Sequence, residues 1–165
     1  MADTEPTRTV AIAIDQSEYF RHALEFYCNI AHQPGSKVLV LHIVDPLYLT
    51  SLVASAGFGQ GGALAALPSS HWQQMAAEQK EKIRQLKTKL EPLFEGKSIP
   101  RHWRVIETTA APGEAIVATA NEVGASLIVV GSRGQGAVRR TILGSVSDYV
   151  LHHAKVPVLV SHGRH

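Results

Sequence analysis

The fold class follows from residues 9–44, TVAIAIDQSEYFRHALEFYCNIAHQPGSKVLVLHIV. Thr9–Asp15 and Lys37–Val44 are short and almost continuously apolar, which is typical of strands buried on both faces of a parallel sheet. Between them, Glu18–His32 shows helical spacing of its apolar residues, with Ser17 at the N-cap position. Strand, helix and strand in this order predict a right-handed βαβ unit.

The rest of the chain continues the alternation of strands and helices. Further helices are predicted at His71–Phe94, Pro112–Glu122 and Leu143–His153, and further strands at Pro100–Thr109, Ser126–Val130 and Val156–Ser161. Residues 47–70 contain four glycines and are predicted to form a flexible loop insertion. We therefore expect one Rossmann-like α/β domain over residues 1–165, an open parallel sheet with helices on both faces.

Composition and charge argue against several classes of protein. Apolar residues make up 45% of the chain, charged residues 18%, and the formal net charge is +2, as in an ordinary globular domain. Basic residues are dispersed, so no nucleic-acid surface is expected. The single cysteine, Cys28, cannot form an internal disulfide, and no apolar run approaches the ~18 residues of a membrane span. Because the N-terminus is polar and lacks an apolar signal region, we expect a cytoplasmic protein without a membrane partner.

A glycine motif follows the fourth predicted strand: GSRG at 131–134, nine further residues, then GSVS at 144–147. Gly131 and Gly134 have no Cβ atom, so a ligand can approach the main chain closely. The second part appears at the start of a predicted helix, where free N–H groups and the positive end of the helix dipole favour phosphate oxygens. The hydroxyls of Ser145 and Ser147 can add hydrogen bonds.

Asp15 and Arg133 are two further candidates for this site. Asp15 ends the first predicted strand, and ligands of such sheets bind at the carboxyl ends of strands where the strand order reverses. Its carboxylate can accept hydrogen bonds from ribose hydroxyls. Arg133 lies between two glycines and either reaches a phosphate or is a solvated loop charge. Taken alone, the motif fits a phosphate site or a plain turn followed by an N-cap serine, and it is neither a P-loop nor the dinucleotide G-x-G-x-x-G pattern.

With these residues in place, the chain resembles the universal stress protein family. The pattern G-x2-G-x9-G-[ST] is that family's ATP-binding signature, and here it reads VVGSRGQGAVRRTILGSVSDYV, residues 129–150, followed by LHHAKVPVLV. The segments VAIAIDQSE and LVLHIVD near the start are also similar to the family. Only residues 47–70 fall outside the likeness, and Ser126 stands where the family often has Asp.

The resemblance implies a fold and a set of ligand contacts. The fold would be a five-stranded parallel sheet in the order 3-2-1-4-5, of the adenine nucleotide alpha hydrolase-like type. Adenine would contact the main chain at Ile43, and the ribose would contact Asp15 and Gly131. The phosphates of ATP, often with a divalent cation such as Mg²⁺, would lie over Gly134, Gly144, Ser145, Val146 and Ser147. The resemblance also implies a homodimer through Val156–Ser161.

Three functions remain open at this level. The first, which we favour, is an ATP-binding stress-response switch whose state is read by a protein partner that the sequence does not name. The second is a weak ATPase, but no Glu, His or Asp lies between Gly131 and Ser147 to act as a base, so no catalytic residue is assigned. The third is a nucleotide-independent interaction module, against which the intact glycine motif argues. Nine histidines are present, but no pair has metal-ligand spacing with a carboxylate, so no protein metal site is expected.

Overall fold

The sheet has the strand order that the resemblance implied. In the computed structural model, which describes residues 8–15, 17–44, 69–132 and 143–162, five parallel strands form one sheet in the order β3-β2-β1-β4-β5. Their bounds are β1 Arg8–Ile14, β2 Ser36–Val44, β3 Arg101–Glu107, β4 Leu127–Gly131 and β5 Val158–Ser161. The fold class predicted from the sequence is therefore confirmed, and the third strand, whose residues are half-buried or exposed, lies at an edge.

The helices lie where they were predicted, with shifted ends. They are α1 Glu18–Phe26, α2 Ser69–Leu90, α3 Pro112–Glu122 and α4 Ser145–His153. A π-helical turn, Tyr27–Ala31, continues α1, and a 3-10 turn, Glu91–Phe94, continues α2. Because α2 begins at Ser69, the last two residues of the predicted insertion 47–70 are helical. Residues 47–68 lie outside the described residues.

Two local features explain why helix and strand ends differ from the prediction. Gly144 adopts an extended conformation, φ −79° and ψ 157°, so α4 begins at Ser145 instead of Leu143. Pro157 has no N–H, and its carbonyl accepts from the Ile128 amide at 3.0 Å just before β5 begins at Val158.

The two faces of the sheet carry separate hydrophobic clusters. Alternate residues of the central strands point to opposite faces, so Val10 and Ile12 are separated by Ala11, which faces the other way. One cluster packs α1 and the end of α2 against β1 and β2, and the other packs α3 and α4 against β2 and β4. Burial of each of these aliphatic side chains contributes about 1.5–3 kcal/mol to the stability of the fold. Packing on both faces therefore holds the helices in fixed positions relative to the ends of the strands.

Trp103 is a packing residue that connects the edge strand to the end of α2. It packs against the α1/α2 cluster, and its Nε1 donates to Glu91 Oε1 at 3.0 Å. Arg101 pairs with the same carboxylate, so Glu91 joins the end of α2 to the edge strand. None of the described helices has both the length and the hydrophobicity that a membrane span requires.

Candidate anion-binding site

The site begins where the strand order reverses, between β1 and β4. The two strands pair in parallel, with Ile12 opposite Val129. Two residues further on, this register brings Ile14 beside Gly131 at the carboxyl edge of the sheet. Crevices at such a reversal are the usual ligand sites of open α/β sheets. Asp15 follows β1 directly, so it lies at this edge.

Ile43 reaches the same edge from the neighbouring strand. Strands β1 and β2 pair with Ile14 opposite His42, which places Ile43 level with Asp15. The side chain of Ile43 packs with the α3/α4 cluster, so its main chain lies at the rim of the crevice. The structure therefore brings together Asp15, Ile43 and Gly131, the three positions to which the resemblance assigned adenine and ribose.

Asp15 is held against the start of α1. Its Oδ1 accepts from the Ser17 amide at 2.9 Å and from the Ser17 hydroxyl at 2.5 Å. Ser17 is the N-cap of α1, and its Oγ in turn accepts from the Phe20 amide at 3.4 Å. The carboxylate is thus oriented by the positive end of a helix, which stabilises a negative charge there.

The start of α4 is different, because its N-cap is Gly144 and no side chain caps it. The first described α-helical bond runs from the Asp148 amide to the Gly144 carbonyl at 2.9 Å. The amides of the three residues before Asp148 therefore have no carbonyl one turn earlier within the helix. Ser145, the first of them, is exposed. No described group bonds these amides, and together with the positive dipole end they make this helix terminus suited to an anion.

Ser132 joins α4 to the sheet, and the sequence analysis did not single it out. It is 1% exposed, its amide donates to Ser161 O at 2.8 Å, and its carbonyl accepts from the Gly144 amide at 2.7 Å. The buried hydroxyl of Ser147 lies 3.0 Å from the same carbonyl and 2.9 Å from Gly144 O. In the sequence, only the position of Ser132 directly after Gly131 pointed to this residue. A serine as such does not indicate main-chain hydrogen bonds that connect a helix to a strand.

The predicted phosphate contacts divide into two groups. Gly144, Ser145, Val146 and Ser147 lie in the first turn of α4 or cap it. The Ser147 hydroxyl, expected to face a phosphate, is directed at main-chain carbonyls, so its amide is the group left for a ligand. Arg133 and Gly134 lie outside the described residues.

His42 lies behind this edge as a neutral, hydrogen-bonded core residue. It is 8% exposed, and its Nδ1 is 3.2 Å from the Ile14 carbonyl, to which the Nδ1–H form donates. Burial lowers the pKa of His42, while the bond to Ile14 and the nearby Asp15 charge oppose that shift. His42 thus supports the end of β1 without offering a charge to a ligand.

Cysteine and metal chemistry find no support in the described residues. Burial raises the pKa of Cys28 to about 11, so its thiol stays protonated and unreactive at neutral pH. Within residues 8–15, 17–44, 69–132 and 143–162, no group of three or more His, Cys, Asp or Glu side chains is placed to hold a metal ion.

Comparison with known proteins identifies the relatives of this chain. The model of the universal stress protein family matches residues 6–162. Universal stress protein MJ0531 of Methanocaldococcus jannaschii is 26% identical over 93% of this chain and 81% of its own length.

Solved structures share the fold. Hypothetical protein MJ0577 has a TM-score of 0.69 at 22% identity, covering 97% of this chain and 99% of that one. The universal stress protein from Archaeoglobus fulgidus in complex with dAMP has a TM-score of 0.60 at 19% identity, covering 94% and 98%. A universal stress protein in complex with cAMP has a TM-score of 0.57 at 21% identity, covering 94% and 96%. The family match over nearly the whole chain is decisive: this chain belongs to the universal stress protein family.

Proposed function

We propose that this chain binds ATP at the carboxyl edge of its sheet and acts as a nucleotide-dependent stress-response switch. The observation that carries the proposal is the start of α4, a helix terminus without a side-chain cap that lies at the point of strand reversal. Membership of the family and the adenine nucleotides bound by two structural neighbours support the same ligand class.

The roles of the residues follow from their donors and acceptors. The amides of Ser145, Val146 and Ser147 bind phosphate oxygens, because they lie before the first intrahelical bond. The exposed Ser145 hydroxyl adds a donor. At the other side of the crevice, Asp15 accepts from ribose hydroxyls, and the absence of a side chain at Gly131 lets the sugar approach β4.

Adenine and the remaining phosphate contacts complete the proposed site. Main-chain groups at Ile43 hydrogen-bond the adenine, since this position is level with Asp15 on the neighbouring strand. Arg133 and Gly134 are assigned to the phosphates on the motif alone.

Mg²⁺ fits this site as a companion of the nucleotide. Mg²⁺ commonly binds through phosphate oxygens and water with only one or two protein carboxylates. Asp15 lies at this edge, and no cluster of three metal-binding side chains accompanies it among the described residues. The cation would neutralise phosphate charge, while the chain binds and orients the nucleotide.

Binding without efficient turnover is the activity that the described groups support. Hydrolysis needs a group that positions or activates water beside the terminal phosphate. Asp148, the nearest acid on α4, is exposed, and its Oδ1 lies 3.6 Å from His152 Nδ1. Asp15 is oriented by Ser17. We therefore assign no catalytic residue.

A hydrogen-bonded connection offers a route from the nucleotide to a partner surface. Ser132 bonds both Gly144, at the start of α4, and Ser161, in the edge strand β5. We propose that a second copy of the chain pairs along Val156–Ser161, whose four strand residues are only half-buried. Nucleotide bound at α4 would then bias that interface through Ser132, and a further protein would read the resulting state.

Calorimetry of the purified chain tests the proposal directly. ATP with Mg²⁺ should bind with a dissociation constant on the order of micromolar, and AMP more weakly because it lacks the outer phosphates. Sedimentation with and without ATP measures whether the dimer responds. A folded sample that binds no adenine nucleotide would contradict the proposal and favour an interaction module; phosphate release at a steady rate would favour the weak ATPase.

A further inference from the structure

A cavity lies at the amino-terminal edge of the sheet, opposite the candidate nucleotide site. Its volume is about 310 Å³, at the lower end of the range for small-molecule sites. Its lining includes Thr9, Lys37, Leu39, Pro100, His102 and Val123. We call it the lower pocket. Lys37 and Ile43 are six residues apart on β2, and a strand rises about 3.3 Å per residue, so the two sites are roughly 20 Å apart.

The register explains why these side chains share one face. Thr9 pairs with Lys37, and Leu39 pairs with His102, and directly opposed residues of neighbouring strands point to the same side. Leu39 belongs to the α3/α4 cluster, and Val123, just beyond α3, packs against that cluster too. The lower pocket thus lies below the end of α3, with apolar walls and two nitrogen-bearing side chains at its mouth.

Among the described residues, the Glu122 carboxylate and carbonyls in the last turn of α3 already have partners. The Glu122 carboxylate accepts from Arg104 at 3.0 and 3.2 Å. Helix α3 ends in a turn at Gly124, whose φ is +61°. In this turn the Ala125 amide donates a hydrogen bond to Ala120 O at 2.8 Å, so that carbonyl is already bonded. Negative groups at the end of α3 are therefore not available to neutralise a cation.

Lys37 and His102, in contrast, have no ion pair or hydrogen bond from their side chains within the described part of the chain. Both are exposed at the mouth of the pocket. Arg101, which also lines it, directs its guanidinium to Glu91 on the other side of the sheet. An apolar cavity with unpaired donors at its mouth complements an apolar molecule that ends in an anion.

We propose that the lower pocket binds a small organic carboxylate with an apolar body, independently of the nucleotide. The carboxylate would accept from Lys37 and His102, and the body would lie against Leu39 and Val123. A volume of about 310 Å³ equals that of about ten water molecules at roughly 30 Å³ each. A ligand of about ten non-hydrogen atoms, the size of octanoate, fills such a space.

The test is a titration of the ¹⁵N-labelled full chain with octanoate, in the absence and presence of saturating ATP. We expect amide shifts at Lys37, Leu39, His102 and Val123, little change at Asp15 or Ser145, and the same affinity with ATP present. Octanol and octylamine match the apolar body without the anion, and each should bind at least tenfold more weakly.

Variants distinguish recognition of the carboxylate charge from nonspecific hydrophobic binding. Lys37→Glu should weaken octanoate at least tenfold and His102→Gln severalfold, whereas Lys80→Glu, with the same change in charge on the exposed surface of α2, should have no effect. Circular dichroism checks that each variant is folded. The proposal is overturned if 10 mM octanoate shifts none of the pocket amides, if octylamine binds equally well, if Lys37→Glu and His102→Gln bind like the wild type, or if ATP displaces octanoate.

Discussion

Helices α1 and α4 both begin at the carboxyl edge of the sheet, but the surroundings of their first-turn backbone amides differ. At α1, Ser17 caps the helix and Asp15 bonds to Ser17, so the positive end faces an internal carboxylate. At α4, Gly144 supplies no side chain, and the Ser147 hydroxyl is directed at main-chain carbonyls. One terminus is completed by the chain itself, whereas the first-turn amides of the other have no bonded partner among the described residues and are the donors that we propose for an external anion.

The contrast indicates how the proposed phosphate site differs from an ordinary helix start. Serine and glycine occur near both termini, so residue type alone does not separate them. What separates them is the direction of the hydroxyls and the presence of an internal carboxylate. The predictions below alter each terminus in turn.

The largest effect is expected when α4 is given its own carboxylate. In Gly144→Asp, the extended φ and ψ of the N-cap suit aspartate, whose oxygens would accept from the first-turn amides. We expect ATP affinity to fall at least ~100-fold because the site is filled and like charges repel, with the free energy of unfolding unchanged or raised by a few tenths of a kcal/mol. Calorimetry and thermal unfolding measure the two quantities.

The matched control for this variant is Gly96→Asp, the same change at a turn where an added Cβ contacts nothing within 4 Å. Some stability is lost there because φ is +70°, but ATP affinity should be retained. Wild-type ATP affinity in Gly144→Asp would show that the start of α4 is not the phosphate site.

The next effect concerns the packing that holds α4 in place. A Cβ atom at Gly113 would lie 2.9 Å from Tyr149 Cβ, so α3 and α4 approach closely at this point. Gly113→Ala should destabilise the fold by about 1–3 kcal/mol, although the same change in an unhindered helix stabilises by about 0.5–1 kcal/mol. Urea unfolding checks the sign. In the double variant with Tyr149→Gly, which removes the Cβ, Cγ and Cδ1 atoms that lie closest to position 113, the extra cost of the alanine should largely disappear. A purely additive pair would refute the steric explanation.

A smaller effect is expected at the start of α1. Ser17→Ala removes the N-cap acceptor and the hydroxyl that orients Asp15, and should cost about 0.5–2 kcal/mol of stability. ATP affinity should fall much less than in Gly144→Asp, because Ser17 acts on the ribose side only through Asp15. Chemical denaturation and calorimetry of the same sample give both numbers. Equal losses of ATP affinity in Ser17→Ala and Gly144→Asp would contradict the proposal that only the start of α4 binds the phosphates.

The smallest effect is a pH dependence from His42, behind the end of β1. Burial lowers the pKa of His42 in the folded chain below the ordinary 6.5, so the unfolded chain binds this proton more readily. Its contribution to stability is therefore complete above about pH 6.5 and is lost as pH falls toward the folded-state pKa. His32 shifts in the same direction. His42→Gln, which keeps a donor, should show a shallower fall of unfolding free energy between pH 7 and 5 than the wild type. Parallel curves would exclude His42 as the source.

Much of the fold was predictable because the central strands carry unambiguous patterns. Val38–Leu41 is apolar at every position, as burial on both faces requires, and Gly124 marks the end of α3 with a positive φ. The π turn after α1 was not predictable, because the His32 amide bonds to Tyr27 O five residues earlier and apolar spacing does not distinguish that turn from an α-helix.

The positions of the candidate site at one edge of the sheet were predictable, but the contacts of its side chains were not. The motif located the start of α4, and the resemblance added Asp15 and Ile43. The role of the Ser147 hydroxyl depended on the Ser132 carbonyl, which is 15 residues away in sequence and approaches only in the folded chain. A serine after a glycine is compatible with either direction, so tertiary structure decided between them.

The hydrogen bonds of Ser132 also restrict the conformational freedom of the first-turn amides of α4 during folding. Gly144 is fixed to Ser132 at 2.7 Å, and Ser132 is fixed to Ser161 at 2.8 Å, so the first turn of α4 is aligned as the chain folds. The associated conformational entropy is lost before any ligand arrives, so the amides that we propose as the phosphate receptor are preorganised. Hydrogen exchange would show this as slow exchange at Ser132 and Gly144 but rapid exchange at Ser145 until an anion covers it.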